Sequence, residues 1–307
     1  MKKIVISEFM NIEAVESLRS NYEVVFDATL VDDPERLKRE LNNAHALIVR
    51  NRTQVTAELL NLAPHMKVVG RLGVGLDNIS LDECKKRAIT VIPATGSNDR
   101  SVAEYVIGSA LILLRNAFVS SELTANGEWP RNKMIGQELS GKVFGFLGFG
   151  AIARETARIA GVFNCPLMAH DPFVDQSIFT KQQCENVSLT KLFSSADIIS
   201  IHLPLTDNTK NLVNRDLLEK MKSTACLINT SRGGIVNELA LIDLLRNKKI
   251  LGAALDVFEH EPIVGEKAKP FAQVRNLLCS PHIAGVTEES NVRVSAMIAK
   301  EVAISLG

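Results

Sequence analysis

Surplus charge is the first thing this sequence lacks. Its 307 residues carry 35 Lys plus Arg against 35 Asp plus Glu, so nothing electrostatic draws the chain to nucleic acid or to an anionic membrane. Long apolar runs are missing as well. The longest strongly apolar window, residues 106–114, is far too short to span a bilayer. The N-terminus passes directly into a strand-like segment, residues 2–6, with no apolar stretch of the secretory kind. The five cysteines, Cys84, Cys165, Cys184, Cys226 and Cys279, are odd in number and never in C-x-x-C spacing. Reduced, buried thiols in a cytoplasmic protein are therefore expected, not a disulfide framework. His202, His260 and His282 are scattered, with no H-x-x-x-H pair or Cys-rich ligand set, so no metal site is expected. A nucleophile elbow is also absent.

What is present is ample core and a repeated βα alternation. Hydrophobic residues make up 46% of a chain long enough for about two domains. In the first hundred residues, strands are predicted at 3–6, 23–26, 46–49, 67–70 and 90–92. Helical patterns fall between them at 12–20, 34–41, 56–60 and 81–87. Such alternation implies a parallel sheet with helices on its faces. Residues 93–101 are turn-rich and read as a linker, 102–114 as a mostly apolar, buried helix, and 126–135, with Gly127, Trp129 and Pro130, as an exposed loop. Strands resume near 143–147, 166–170, 198–202, 225–229, 253–257 and 276–279, six in all, the number in a complete dinucleotide-binding sheet. The helical segment 286–306 then remains free to cross back. The expected organisation is a discontinuous domain of residues 1–98 plus 286–307 and a second domain of residues 99–285, with two crossings as a hinge.

The second domain opens on a phosphate-binding pattern. The apolar run 143–147 leads into Gly148, Gly150 and Ala153, spaced G-x-G-x-x-A, a variant of the dinucleotide fingerprint. Gly148 permits a tight turn, Gly150 lets a pyrophosphate approach the backbone, and Ala153 lets the next helix, roughly 152–160, pack closely. That helix would aim its N-terminal N–H groups and positive dipole end at the phosphates. The strand 166–170 ends at Asp171, whose carboxylate can accept from an adenosine ribose. Asp171 also repels a 2′-phosphate, and no Arg or Lys lies among residues 169–176, so NAD is preferred over NADP.

Three further strand ends carry residues capable of chemistry: Asn-Thr-Ser-Arg-Gly-Gly at 229–234, Asp-Val-Phe-Glu-His-Glu-Pro at 256–262 and Ser-Pro-His-Ile-Ala-Gly at 280–285. Singly, Arg232 could be a surface charge, Glu261 a carboxylate before a proline, and His282 a satisfied loop histidine. Together they match the needs of hydride transfer to a carbonyl. Histidine can donate the proton to the oxygen, the arginine fork can bind a substrate carboxylate, and a glutamate beside the histidine fixes its tautomer and favours its protonated form.

These motifs, with Gly-Arg-Leu-Gly-Val-Gly-Leu-Asp-Asn-Ile at 70–79, resemble the D-isomer-specific 2-hydroxyacid dehydrogenase family, most nearly its D-3-phosphoglycerate dehydrogenase branch. The likeness runs from about Ile4 to Val302. It implies two Rossmann-like domains, a flavodoxin-like substrate domain and a doubly wound NAD-binding domain. It implies that Arg232 binds and polarises the substrate, that Glu261, the glutamate directly before the proline, orients the histidine, and that His282 is the general acid/base. It places the substrate carboxylate on backbone N–H groups of Val74 and Gly75. NAD contacts carried over by position are Val74, Ala151, Ile152, Leu203, Thr230, Arg232, Asp256, His282 and Gly285 beside Gly148, Gly150, Ala153 and Asp171. Many relatives have Arg where this chain has Ala151, so one cation near the pyrophosphate is missing. The resemblance further implies a homodimer with the 102–118 helix in its interface and Trp129 near the partner's site, and a short form without regulatory domains.

Arg50 and Arg52 follow the third predicted strand and Arg71 the fourth. Strand-end arginines of the first domain are expected to face the substrate, and Arg50 and Arg71 resemble positions near the phosphate in the phosphoglycerate branch. A 2-hydroxy acid with a second anionic group, phosphate, sulfonate or carboxylate, is the expected substrate. The bland reading is that these arginines pair with acidic neighbours at the surface. Other readings of the whole chain are an NAD-sensing, corepressor-like scaffold, a glyoxylate or hydroxypyruvate reductase, and a formate- or phosphite-type dehydrogenase.

Overall fold

A computed structural model describes residues 1–307 and divides them into two units, Met1–Asn98 with Val286–Gly307, and Asp99–Gly285. The first unit holds five strands: β1 (Lys3–Ile6), β2 (Glu23–Phe26), β3 (Ala46–Val49), β4 (Val68–Arg71) and β5 (Thr90–Pro93). All pair in parallel, in the order β2-β1-β3-β4-β5, which is the flavodoxin-like order. β3 is buried throughout, as expected of a central parallel strand covered on both faces. Alternation along β1 assigns those faces. Ile4 and Ile6 pack with Val15 and Leu18 and with Val294, Ile298 and Val302 of the C-terminal helix Glu288–Leu306. Val5 packs on the opposite side with Leu37, Leu41, Leu60 and Cys84. The C-terminal helix thus completes the first unit's core. It starts sharply because Thr287 and Ser290 form a reciprocal capping box.

The second unit holds seven strands where six were expected: β6 (Phe144–Leu147), β7 (Leu167–His170), β8 (Cys184–Asn186), β9 (Ile198–Ile201), β10 (Cys226–Asn229), β11 (Gly252–Leu255) and β12 (Leu277–Cys279). The additional strand, β8, has three residues, two of them exposed, at the sheet edge. An edge strand that buries one residue leaves no apolar run to read. The order is β12-β11-β10-β9-β6-β7-β8, all parallel. Chain direction across the sheet reverses between β6 and β9, the topological switch point at which such sheets bind ligands.

Two other expectations are corrected. The linker is shorter than 93–101, because β5 reaches Pro93 and the long apolar helix already begins at Asp99 (Asp99–Leu114). The first turn of that helix is polar, which hides it from an apolar-run reading. It buries Val102, Val106, Ala110 and Leu113. All five cysteines are free, and four are buried, but Cys279 is exposed, since it ends the edge strand β12. Residues 126–135 contain a single 3₁₀ turn, Arg131–Lys133. No single helix is long and apolar enough to cross a membrane.

Candidate active site

The glycine loop follows β6. Gly148 has φ +87°, and a Cβ there would meet the His202 carbonyl oxygen at 2.6 Å, so both conformation and space demand glycine. A Cβ on Gly150 would meet nothing within 4 Å, which leaves room for a ligand. The helix Ala151–Val162 starts immediately after it, with Ala153 buried against the sheet. Asp171, after β7, braces this loop: Oδ2 accepts from the Phe149 N–H at 2.8 Å and Oδ1 from the Phe173 N–H at 2.9 Å. Leu203 follows β9, Thr230 follows β10, Asp256 follows β11, and Gly285 lies in the loop after β12. The sequence-predicted cofactor residues of this unit therefore sit on the carboxyl ends of neighbouring strands. Thr230 Oγ1 is buried with no hydrogen-bond partner, an atom that a bound polar ligand would satisfy. An open space at Gly150, a helix N-terminus and an unpaired hydroxyl fit a dinucleotide.

Arg232 is set by Asn229, the last residue of β10. Asn229 Oδ1 accepts from the Ser231 N–H and hydroxyl at 3.1 and 2.8 Å, and its Nδ2 donates to the Arg232 carbonyl at 2.9 Å. This local turn is typical of Asn, and the Asn-x-Ser spacing could have revealed it. The Arg232 guanidinium donates from Nη1 to the Ser231 carbonyl at 2.6 Å. At Gly233 a Cβ would lie 1.9 Å from the Phe258 carbonyl carbon, so only glycine lets the Arg232 loop touch the segment that carries Glu261.

Glu261 Oε1 accepts from the Phe258 N–H at 3.0 Å, and Oε2 lies 2.8 Å from His282 Nδ1. A carboxylate only accepts, so Nδ1 carries the proton and Nε2 is left without a role in this contact. Burial works to raise the Glu261 pKa, but the bond to His282, the Phe258 N–H and the charges of His282 and Arg232 outweigh it, and the carboxyl is held below its ordinary value. Glu261 is therefore ionised at neutral pH.

His282 sits in a left-handed turn, φ +58°, a conformation costing a non-glycine residue roughly 1–2 kcal/mol. Asp256 holds that turn. It is 1% exposed, with Oδ1 accepting from the Ser280 hydroxyl at 2.6 Å and the Ile283 N–H at 2.8 Å, and Oδ2 from the Ala284 N–H at 2.7 Å. This bracing role of Asp256 has no local sign in the sequence, because its partners lie more than twenty residues away. The half-buried His202, by contrast, has its pKa lowered to about 3 by desolvation and is a neutral group bonded to Ser200 at 2.8 Å.

Arg50, Arg71, Val74 and Gly75 belong to the first unit. Arg71 ends β4 and pairs in register with Val49, the residue before Arg50. Arg71 donates from Nη1 to the Leu72 carbonyl at 2.9 Å. Arg52, the third strand-end arginine, is ion-paired with Asp32.

Residues 107–284 match the family described as D-isomer specific 2-hydroxyacid dehydrogenase, NAD binding domain. The chain is 46% identical to an (S)-sulfolactate dehydrogenase of Chromohalobacter salexigens over 100% of this chain and 99% of that protein. It is 35% identical to a D-3-phosphoglycerate dehydrogenase of Bacillus subtilis over 98% of this chain, but spans 56% of that protein's length. Among solved structures, the D-lactate dehydrogenase from Aquifex aeolicus complexed with NAD and lactic acid aligns with a TM-score of 0.89 at 26% identity, covering 99% of this chain and 95% of that one. The chain belongs to the D-isomer-specific 2-hydroxyacid dehydrogenase family, NAD-dependent oxidoreductases that act on hydroxy acids. Its cofactor is NAD, and its second unit contains the NAD-binding domain.

Proposed function

We propose that the protein interconverts a 2-hydroxy acid and its 2-oxo acid, with Arg232, Glu261 and His282 as the catalytic set, on a substrate that carries a second anionic group. The observation that carries this reading is the 2.8 Å contact between His282 Nδ1 and Glu261 Oε2, beside the positive charge of Arg232. Bound at the glycine loop, Asp171 and Thr230, NAD supplies or accepts the hydride. The chain's own residues do the rest. Arg232 takes the substrate carboxylate on its fork and polarises the carbonyl. His282 gives the Nε2 proton to the carbonyl oxygen in reduction and takes it back in oxidation. Glu261 holds the imidazole in the tautomer that this transfer needs.

A sulfonate or phosphate as the second anion is supported by the sulfolactate and phosphoglycerate dehydrogenases among the relatives, with Arg50 and Arg71 as its receivers. The test is a panel of 2-oxo acids with NADH. Sulfopyruvate or 3-phosphohydroxypyruvate is expected to exceed pyruvate and glyoxylate in kcat/KM by at least about tenfold, the worth of one charge-assisted hydrogen bond. Equal turnover of all four would end the second-anion reading, and no turnover of any would end the enzymatic one. Repeating the panel with NADPH is expected to give much slower rates, since Asp171 disfavours a 2′-phosphate.

The protein is further proposed to work in the cytoplasm as a homodimer. The helix Ala117–Ala125 buries no residue although it is largely apolar, and Phe118 and Trp129 are 57% and 81% exposed. Such exposed apolar surface supports a dimer contact. Sedimentation at the monomer mass across micromolar concentrations would argue against it.

A further inference from the structure

Two buried polar side chains of the first unit take no part in the reaction described above. Glu8 follows β1 and is 4% exposed, with no cation at ion-pair distance. Its carboxylate instead accepts three backbone N–H groups: Arg50 at 2.9 Å and Thr53 at 3.0 Å on Oε1, and Arg52 at 3.1 Å on Oε2. Asn78 grips the same loop from its carbonyls. Its Nδ2 donates to the Arg50 oxygen at 3.1 Å and to the Thr53 oxygen at 2.7 Å. The Ser7 and Thr53 hydroxyls add a bond of 2.8 Å. A surface loop ordinarily leaves such groups to water. Here residues 50–53 are fastened on both sides by side chains from far along the chain, and a desolvated carboxylate is committed to the task.

What this fastening presents is Arg50. Its guanidinium lies over the Phe9 ring, 5.6 Å from the centroid, and donates from Nη2 to Asn291 Oδ1 at 3.3 Å. Both partners are neutral, so they orient the cation without cancelling it. No carboxylate lies at ion-pair distance from Arg50, whereas Arg52, two residues on, is paired with Asp32. Burial draws the Arg50 pKa below its ordinary value, opposed by the Glu8 charge. A partly desolvated guanidinium with no carboxylate at ion-pair distance, held in one place, is a preorganised receptor for an anion.

We propose that Glu8, Asn78 and Asn291 are positioning residues for substrate specificity. They hold Arg50 as a cation with no carboxylate at ion-pair distance, and this preorganisation makes the enzyme select 2-oxo acids with a second anionic group. The inference rests on the second-anion reading given under Proposed function.

The test is steady-state NADH oxidation with sulfopyruvate and with glyoxylate, in the wild type, in Glu8→Gln and in Asn291→Ala. Glutamine would set an NH₂ against a backbone N–H that needs an acceptor. Asn291→Ala removes the Arg50 contact from the exterior of a long helix and keeps the test valid if Glu8→Gln folds poorly. For sulfopyruvate each variant is expected to lose about tenfold in kcat/KM, carried by KM with kcat within about twofold. For glyoxylate, kcat/KM should stay within about twofold of the wild type. A sulfopyruvate-to-glyoxylate ratio that stays at the wild-type value in both variants would overturn the proposal while leaving the second-anion reading intact. A wild type that treats the two substrates alike would remove that reading and this proposal with it.

Discussion

Replacing His282 with glutamine is expected to lower kcat for 2-oxo acid reduction by about 10²- to 10⁴-fold, with KM nearly unchanged. Glutamine keeps a donor of similar reach but cannot exist as a proton-carrying acid, so only the transition state loses. The pH dependence should agree. Reduction needs a proton on the imidazole, and Glu261 must stay ionised to hold that ring. Glu261 is held below its ordinary pKa by its partners, so its carboxylate, and the rate that depends on it, is lost only as pH falls through that lowered value. In Glu261→Gln the carboxylate at 2.8 Å is gone, and the acid-side loss should disappear together with most of the rate. A rate that survives in His282→Gln would point to a substrate whose oxidation needs no proton transfer at a hydroxyl, as with formate. pH–rate profiles of the two variants and the wild type decide it.

Arg232→Ala is expected to lose about 10²-fold or more in kcat/KM. Two charge-assisted hydrogen bonds to the substrate carboxylate are each worth roughly 1.5–3 kcal/mol, and 1.4 kcal/mol is a factor of ten. Arg232→Lys should recover only part of this, because a point charge restores attraction but not the planar fork. Loss in KM alone would assign Arg232 to substrate binding. Loss in kcat as well would show that it also polarises the carbonyl. The arginine loop should survive either change, since Asn229 builds it through the Arg232 carbonyl and Ser231 and not through the guanidinium. Circular dichroism and cofactor fluorescence would confirm that the variant is folded and binds NADH.

Both chemical sets were legible in the sequence to different depths. The glycine loop, Asp171 and the three strand-end motifs follow local rules: a strand, a turn that needs glycine, a polar residue where a parallel strand ends. Such rules act over a few residues and are visible without a fold. β8 was not legible, because three residues with one buried side chain carry no period. Nor was the start of the long helix at Asp99, where a polar turn precedes the apolar face. The pairing of Arg52 with Asp32, which takes that arginine out of consideration and leaves Arg50 in it, joins residues twenty apart and has no local sign.

Composition, hydrophobic period and motif order by themselves determined that this is an α/β chain with two parallel sheets and a dinucleotide loop, because short-range sterics and the partition of apolar side chains write those features residue by residue. Tertiary structure alone decided which charges stay free and which are held. It set Glu261 against His282, turned Asp256 inward to brace the histidine's left-handed turn, and committed Glu8 to the loop behind Arg50. Hydrogen bonding and desolvation act through space at about 3 Å, and no spacing along the chain specifies which distant residues will meet at that range.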